Sequence, residues 1–151
     1  MVMNDVCDIR KMTGTDLSEV CRIETQNFSE PWSYQGFLDA LSREDTEYLV
    51  CEYDREIAGY CGAYISWGEA DIVNVSVDKK FQNKQIATQL LQKLFLRLKE
   101  RDVKDLTLEV RQSNRPAIPL YEKLGFQSEG VRPGFYENPK EDALIMWRRG
   151  I

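Results

Sequence analysis

The chain contains no histidine, which restricts the acid–base chemistry that it can perform. Serine–histidine and cysteine–histidine mechanisms are excluded, so a general base must be a carboxylate, tyrosine, lysine, cysteine or water. Glu109 is one candidate, because it alternates with Leu108 and Val110 in a strand-like stretch and faces away from both. Tyr121 lies in a helical stretch, where its phenol could serve chemistry or its ring could simply pack. Asn114 precedes that stretch and is typical of a helix N-cap.

A strand, a short loop and the start of a long helix form a second candidate site. A helix N-terminus presents unpaired N–H groups and a partial positive charge, which suits a pyrophosphate. Taken alone, the arrangement is also compatible with a plain strand-to-helix connection. The residues concerned are Val75, Ser76 and Val77 in the strand, and Asn83, Lys84, Gln85, Ile86, Ala87 and Thr88 in the loop and helix start.

Hydrophobic periodicity predicts the elements that position these residues. Strands are expected at residues 6–10, 48–53, 57–67, 70–77, 106–110, 126–131 and 143–147. Helices are expected at residues 17–24, from the N-cap Ser33 through Leu41, at 85–101, and at 114–124, where Gly125 closes the last one. The order β-α-α-β-β-β-α-β-α-β-β predicts an α+β fold in which helices cover a mixed sheet.

The composition is that of an ordinary globular protein, and we expect one domain over residues 1–151. No apolar run approaches the roughly 20 residues that span a bilayer, and the N-terminus is unlike a secretory signal. We therefore expect a cytoplasmic protein without a membrane partner. The net charge of −5 argues against direct binding of nucleic acid and suits a cationic substrate, although it also keeps a protein soluble.

The four cysteines, at positions 7, 21, 51 and 61, have no CxxC spacing. Without histidine they do not predict a zinc site, and we expect no metal. Because disulfides are rare in a reducing cytosol, all four are expected to be buried and reduced. They lie outside both candidate sites, so no cysteine nucleophile is expected.

Two stretches of the chain carry a resemblance to a known family. The loop QNKQIA, residues 82–87, resembles the Gln/Arg-x-x-Gly-x-Gly/Ala phosphate loop of the GNAT superfamily, the Gcn5-related N-acetyltransferases. LEVRQSNRPAIPLYEKLGF, residues 108–126, resembles the RimI-type alanine N-acetyltransferases, which modify the N-terminus of a small-subunit ribosomal protein. Further matches are Asn27-Phe28, Pro31-Trp32, Arg132 with Tyr136, and Glu141-Asp142-Ala143 with Met146. This resemblance covers nearly the whole chain. It implies a mostly antiparallel mixed sheet of about seven strands, flanked by about four helices.

The resemblance also implies roles for individual residues, with acetyl-CoA as cosubstrate. Glu109 matches the proton acceptor, and Tyr121 matches the proton donor to the departing thiolate. Val75, Ser76 and Val77 match the strand that pairs with the pantetheine arm, and Asn114 matches a cofactor contact. Asn83, Lys84, Gln85, Ile86, Ala87 and Thr88 match the pyrophosphate loop. Phe28, Trp32 and Tyr136 are expected to shape the peptide groove, although aromatics beside a helix break also serve as core. The expected acceptor is the N-terminus of a ribosomal protein or another basic peptide.

Two positions depart from the family pattern. Gln85 stands where the family has glycine, so the loop either shifts or binds the cofactor weakly. Pro119 lies inside the predicted last helix, where it would bend the helix two residues before Tyr121. Two other interpretations remain open: an acetyltransferase of polyamines or other small amines, and a non-catalytic module that binds acetyl-CoA. A monomer or a weak homodimer is expected.

Overall fold

The computed structural model describes residues 7–151, and its elements occur in the order predicted from the sequence. The strands are β1 (Asp8–Lys11), β2 (Thr46–Tyr53), β3 (Glu56–Ser66), β4 (Glu69–Val77), β5 (Asp105–Arg111), β6 (Gln127–Tyr136) and β7 (Glu141–Arg149). The helices are α1 (Leu17–Asn27), α2 (Tyr34–Leu41), α3 (Ile86–Glu100) and α4 (Ala117–Lys123). Val6, with which the first strand was predicted to begin, lies outside the described residues. Within residues 7–151, no helix is long and apolar enough to cross a membrane.

The seven strands of the described residues form one sheet in the order β1-β2-β3-β4-β5-β7-β6. Every neighbouring pair is antiparallel except β4 and β5, which are parallel and are connected through α3. This confirms the predicted α+β fold with a mostly antiparallel mixed sheet and four helices.

The parallel pair β4–β5 is joined along only part of its length. Its register runs from Glu69 opposite Asp105 to Ile72 opposite Leu108 and then ends. At the same level, the pairing of β4 with β3 shifts by one residue, which leaves Val73 as an extra residue. Such a bulge bends a strand and increases its twist. Beyond Ile72, β4 and β5 therefore separate and leave a gap in the sheet.

Two apolar cores lie on opposite faces of the sheet. On one face α3 buries Leu90, Leu91, Leu94 and Leu98. On the other face α1 and α2 bury Leu17, Val20, Ile23 and Phe37 against Tyr48 and Tyr60. The bulge determines which face each β4 side chain enters: Ile72 belongs to the α3 core, whereas Asn74 accepts a 2.7 Å hydrogen bond from the Tyr48 hydroxyl on the other face.

The last helix begins later than the sequence indicated. It starts at Ala117 instead of Asn114, and its N-cap is Pro116. Asn114 still contributes to the helix start, since its Oδ1 accepts a 3.3 Å hydrogen bond from the Ala117 N–H. Pro119 therefore lies in the first turn, where a helix needs no N–H donor. The reason for expecting a bend at Pro119 is thereby removed.

The prediction that all four cysteines are reduced is wrong for two of them. Cys7 and Cys51 form a disulfide with a Cα–Cα distance of 5.5 Å. The antiparallel pairing of β1 with β2, in which Ile9 lies opposite Cys51, brings the two residues within reach of each other. Cys21 and Cys61 carry free thiols; Cys61 is fully buried as expected, whereas Cys21 is partly exposed.

Candidate active site

An open cleft of about 610 Å³ lies where β4 and β5 separate. Its walls are the two strands, the start of α4, the connection between α1 and α2, and the turn between β6 and β7. Of the residues predicted from the sequence, the cleft is lined by Phe28, Trp32, Val75, Glu109, Asn114, Tyr121 and Tyr136. Five separate elements thus bring a proposed base, a proposed acid and the proposed groove residues to one place.

Glu109 reaches the cleft because of strand alternation. Its neighbours Leu108 and Val110 are buried in the α3 core, so its side chain extends to the opposite face of the sheet. Glu109 Oε2 is buried and makes no hydrogen bond to any residue among 7–151. The Arg132 Nε lies 2.8 Å from this oxygen as an ion pair, without the alignment of a hydrogen bond. The carboxylate therefore has free capacity to accept a proton or a hydrogen bond from a molecule in the cleft.

Tyr121 is held by packing in the middle of α4. Its ring meets Phe126 edge-on at a centroid distance of 6.0 Å, and its side chain is almost fully buried. Burial, with a smaller contribution from Tyr136, raises the pKa of Tyr121 to about 12. The phenol is therefore protonated at neutral pH and is suited to donate a proton.

One edge of β4 faces the gap with its backbone. The Asp78 N–H donates a 2.8 Å hydrogen bond to the Ala58 carbonyl, so Asp78 directs its backbone toward β3. Because successive residues of a strand direct their backbone groups to alternate sides, those of Val77 and Val75 point away from β3. The Val77 carbonyl accepts a 2.9 Å hydrogen bond from Asn27 Nδ2. The other backbone groups of Val75 and Val77 are oriented to pair with an extended ligand.

Ser76, also predicted as a cofactor contact, faces away from this gap. Its backbone pairs with Tyr60 on β3, and its hydroxyl lies 2.6 Å from Asn27 Nδ2. The structure therefore assigns Ser76 to the contact between β4 and α1.

The predicted phosphate loop lies where β4 leads into α3, outside the cleft itself. Gln85 is the N-cap of α3 and adopts a left-handed conformation, with φ 60° and ψ 27°, and Asn83 is also left-handed, with φ 67°. This is the backbone conformation that glycine adopts most readily, which accounts for the family's glycine at the position of Gln85. The Gln85 side chain makes no capping hydrogen bond. The first turn, which contains Ile86, Ala87 and Thr88, therefore receives no capping hydrogen bond from Gln85. An uncapped helix N-terminus has N–H groups that can bind a pyrophosphate.

The connection between α1 and α2 forms one rim of the cleft. Phe28 is 43% exposed, whereas Trp32 packs on Phe37 with a centroid distance of 5.2 Å, so Trp32 contributes to both groove and core. The buried carboxylate of Glu24 stabilises this connection, because it accepts a 3.0 Å hydrogen bond from the Trp32 N–H and another from the Tyr60 hydroxyl. Burial raises the pKa of Glu24, and the hydrogen bond from Trp32 partly offsets that rise. The role of Glu24 was not predicted from the sequence, although an acidic residue on the apolar face of α1 was a signal.

The turn between β6 and β7 forms the opposite rim. The Arg111 guanidinium stacks on Tyr136 at 4.4 Å and donates 2.8 Å hydrogen bonds to the carbonyls of Pro139 and Glu137. Phe135, which the sequence analysis also missed, lines the cleft and is 44% exposed. Exposed aromatic side chains therefore stand on both rims.

Together these groups can remove a proton from a nucleophile at Glu109 and supply a proton to a leaving group from Tyr121. The sequence pattern of the Acetyltransferase (GNAT) family matches residues 15–126. The chain therefore belongs to the GNAT family and is an acetyltransferase.

Several N-acetyltransferases are similar to this chain along almost their whole length. A candidate ribosomal protein bS18-alanine N-acetyltransferase of Bacillus subtilis is 38% identical over 140 residues, which are 92% of this chain and 93% of the relative. An N-alpha-acetyltransferase of Sulfurisphaera tokodaii is 32% identical over 151 residues, with 91% of this chain and 90% of the relative covered. The crystal structure of the ribosomal-protein-S18-alanine N-acetyltransferase from Escherichia coli superposes with a TM-score of 0.87 at 32% identity, covering 95% of this chain and 94% of that one.

Proposed function

We propose that this protein transfers the acetyl group of acetyl-CoA to the N-terminal α-amine of an alanine-starting protein, ribosomal protein bS18. The observation that carries the proposal is the cleft between β4 and β5, where Glu109 and Tyr121 line the same space. The acceptor is inferred from the bacterial relatives, whose names specify the alanine of this ribosomal protein. We place the reaction in the cytoplasm.

The chain's own groups account for both proton transfers. Acetyl-CoA supplies an acetyl group activated as a thioester, and no covalent enzyme intermediate is needed. The amine nitrogen forms a bond to the thioester carbon while Glu109 takes the amine proton, directly or through a water molecule. As the carbon–sulfur bond breaks, Tyr121 donates its proton to the sulfur. A backbone N–H of β4 that faces the gap stabilises the charge developing on the thioester oxygen.

The distribution of charge and exposed backbone supports the binding of both substrates. Val75 and Val77 present backbone groups for the amides of the pantetheine arm, and the start of α3 suits the pyrophosphate. The cleft is lined by four carboxylates and one guanidinium, which favours a cationic peptide terminus. These residues are Glu24, Glu30, Glu109 and Glu137, with Arg111.

An α-amine suits this site better than a lysine ε-amine does. An α-amine has an ordinary pKa of about 7.7–8.0, so about a fifth to a third of it is neutral at pH 7.4. A lysine amine, near 10.4, is about a thousandth neutral at that pH. A single carboxylate is therefore an adequate base for the terminal amine.

The proposal is tested by acetyl transfer to a synthetic peptide that carries the first residues of bS18, with mass spectrometry of the product. The same peptide blocked at its N-terminus reports on transfer to lysine, and spermidine reports on transfer to a small amine. We expect Glu109→Gln and Tyr121→Phe each to lower kcat/KM by about 10²–10⁴-fold. Glu129→Gln and Tyr34→Phe, which alter an acid and a tyrosine outside the cleft, serve as matched controls.

Different results would identify the alternatives. Transfer to spermidine without transfer to the peptide would favour an acetyltransferase of small amines. Equal transfer to peptides that begin with alanine, serine and methionine would favour the broader activity named for the archaeal relative. Binding of acetyl-CoA without transfer to any acceptor would favour a non-catalytic module.

A further inference from the structure

The carboxylate proposed as general base already has a cationic partner. Arg132 extends from β6 across β7 and places its Nε 2.8 Å from Glu109 Oε2 on β5. Ala143, which lies opposite Arg132 on β7, has a side chain too small to obstruct this crossing. The guanidinium therefore occupies the position from which the amine of a substrate would contact Glu109 Oε2.

A second arginine near Glu109 is held quite differently. Arg111 lies two residues from Glu109 on the same strand face, yet its guanidinium contacts the β6–β7 turn at Pro139, Glu137 and Glu141. Only a quarter of the Arg111 side chain is exposed, against 57% for Arg132. Arg111 is thus a fixed part of the cleft wall, and Arg132 is the cation available to Glu109.

Several features make the contact of Arg132 easy to exchange. The ion pair lacks hydrogen-bond alignment, and Glu109 Oε2 consequently makes no hydrogen bond within the described part of the chain. Arg132 lies on an edge strand, where the register between β6 and β7 is interrupted. The Phe135 ring, 5.3 Å from the guanidinium, offers it a second contact outside the ion pair.

The charges around Glu109 favour a nearby cation in the free protein. Asp71 on β4 lies on the same face as Glu109, and burial together with the nearby Glu109 raises the pKa of Asp71. Two carboxylates in one partly buried place repel each other unless a positive charge lies near them. In the free protein Arg132 supplies that charge.

We propose that Arg132 is an exchangeable counter-ion of Glu109, and that the terminal ammonium group of the substrate displaces it. This deepens the proposed function and rests on it for the identity of the amine. Arg132 acts through Glu109 and is a positioning residue. In the free protein Arg132 holds the Glu109 carboxylate in place. Because the substrate ammonium group must displace Arg132, a higher concentration of amine is needed for binding.

The test compares cationic and neutral ligands that differ only at the terminal nitrogen. Calorimetric titration with L-alaninamide at about pH 6, where its amine is protonated, is set against N-acetyl-L-alaninamide, with CoA present throughout. The variants are Arg132→Gln, Arg132→Lys and the control Arg149→Gln, which removes an exposed ion pair with Glu129. Kinetics of acetyl transfer to the alanine-starting peptide are measured for the same proteins.

We expect Arg132→Gln to bind the cationic amide about three- to tenfold more tightly than the unaltered protein, and the neutral amide equally well. KM for the peptide falls by a similar factor, and kcat changes by less than about twofold. Arg132→Lys, which keeps the charge, and Arg149→Gln behave like the unaltered protein.

If Arg132→Gln binds the cation no more tightly, or loses kcat at constant KM, Arg132 is a permanent partner of Glu109 and the inference is overturned. The binding assay needs no acetyl transfer. A gain in cation affinity in a protein that fails to acetylate the peptide would therefore uphold the inference and reject the proposed acceptor.

Discussion

Replacing Gln85 with glycine should stabilise the protein, because this residue has an unfavourable backbone conformation. At φ 60° and ψ 27° an L-residue brings its Cβ close to a carbonyl oxygen, at a cost of about 1–2 kcal/mol. Glycine avoids that contact but loses more backbone freedom on folding, which offsets about 0.5–1 kcal/mol of the gain. The Gln85 side chain makes no capping hydrogen bond that would be lost. The net effect of Gln85→Gly is therefore an increase of about 0–1.5 kcal/mol in the free energy of unfolding, with a midpoint near 0.75 kcal/mol.

Thermal unfolding of three variants separates the backbone from the side chain. For a chain of this size, the midpoint value corresponds to an increase in Tm of about 1.5–3 °C for Gln85→Gly. Gln85→Ala keeps the Cβ and should give no increase. Gln85→Asn should fall between them, since asparagine tolerates the left-handed region better than most residues. An increase for alanine equal to that for glycine would refute the reasoning, because it would assign the effect to the side chain.

The same variants report on the proposed pyrophosphate site. A Cβ at position 85 stands at the cap of α3, close to where phosphate oxygens would approach the first turn. Calorimetric titration with acetyl-CoA should therefore show the tightest binding for Gln85→Gly. If the protein with Gln85 binds acetyl-CoA as tightly as Gln85→Gly does, the side chain is accommodated. Absence of binding in both proteins would remove this loop as the phosphate site.

Three further predictions concern stability and the groove. Under non-reducing conditions, Cys7→Ser should lower the free energy of unfolding by about 4 kcal/mol, because the disulfide to Cys51 closes a loop of 44 residues. Urea unfolding with and without reductant checks this prediction, and an effect of reductant on the stability of Cys7→Ser itself would contradict it. Glu24→Gln should raise KM for the peptide several-fold, whereas binding of acetyl-CoA should be unchanged. The Trp32 N–H and the Tyr60 hydroxyl donate to different oxygens of the Glu24 carboxylate, and an amide has an NH2 group in place of one of them. Burial alone would raise the pKa of Asp16, but the ion pair with Arg10 lowers this pKa below the ordinary 3.8. The stability that Asp16 contributes is therefore present above pH 3.8 and is lost as the pH falls through the lowered pKa. Asp16→Asn should reduce this acid sensitivity when unfolding is measured as a function of pH.

The order of the elements could be predicted because it depends on local signals. Alternation identified the strand of Glu109, and one apolar stripe identified α3. Ser33 was recognised as an N-cap, and its side chain accepts a 3.0 Å hydrogen bond from the Gly36 N–H. Gly125 was expected to close α4, and its φ of 96° agrees. Each of these signals lies within a few residues of the feature that it predicts.

The features that the sequence did not reveal depend on contacts between distant segments. The disulfide requires the pairing of β1 with β2, which joins residues 44 positions apart in the sequence. The ion pair of Arg132 with Glu109 requires β7 to insert between β5 and β6, and no local pattern gives that strand order. Gln85 was recognised as a departure from the family pattern, but its left-handed backbone became apparent only in the structure.

Contacts on the face of the sheet opposite α3 keep the gap between β4 and β5 open. Asn74 is buried and accepts a hydrogen bond from Tyr48, and Asn27 donates to the Val77 carbonyl, so two points of β4 beyond Ile72 are held toward α1 and β2. Continuing the pairing with β5 would draw β4 away from both contacts. It would leave the buried polar groups of Asn74 and Tyr48 without partners, at about 1–3 kcal/mol each, and would break the partly buried contact of Asn27. The polar contacts of the core thus oppose closure of the sheet, and the cleft that holds the proposed base and acid is a consequence of how that core is packed.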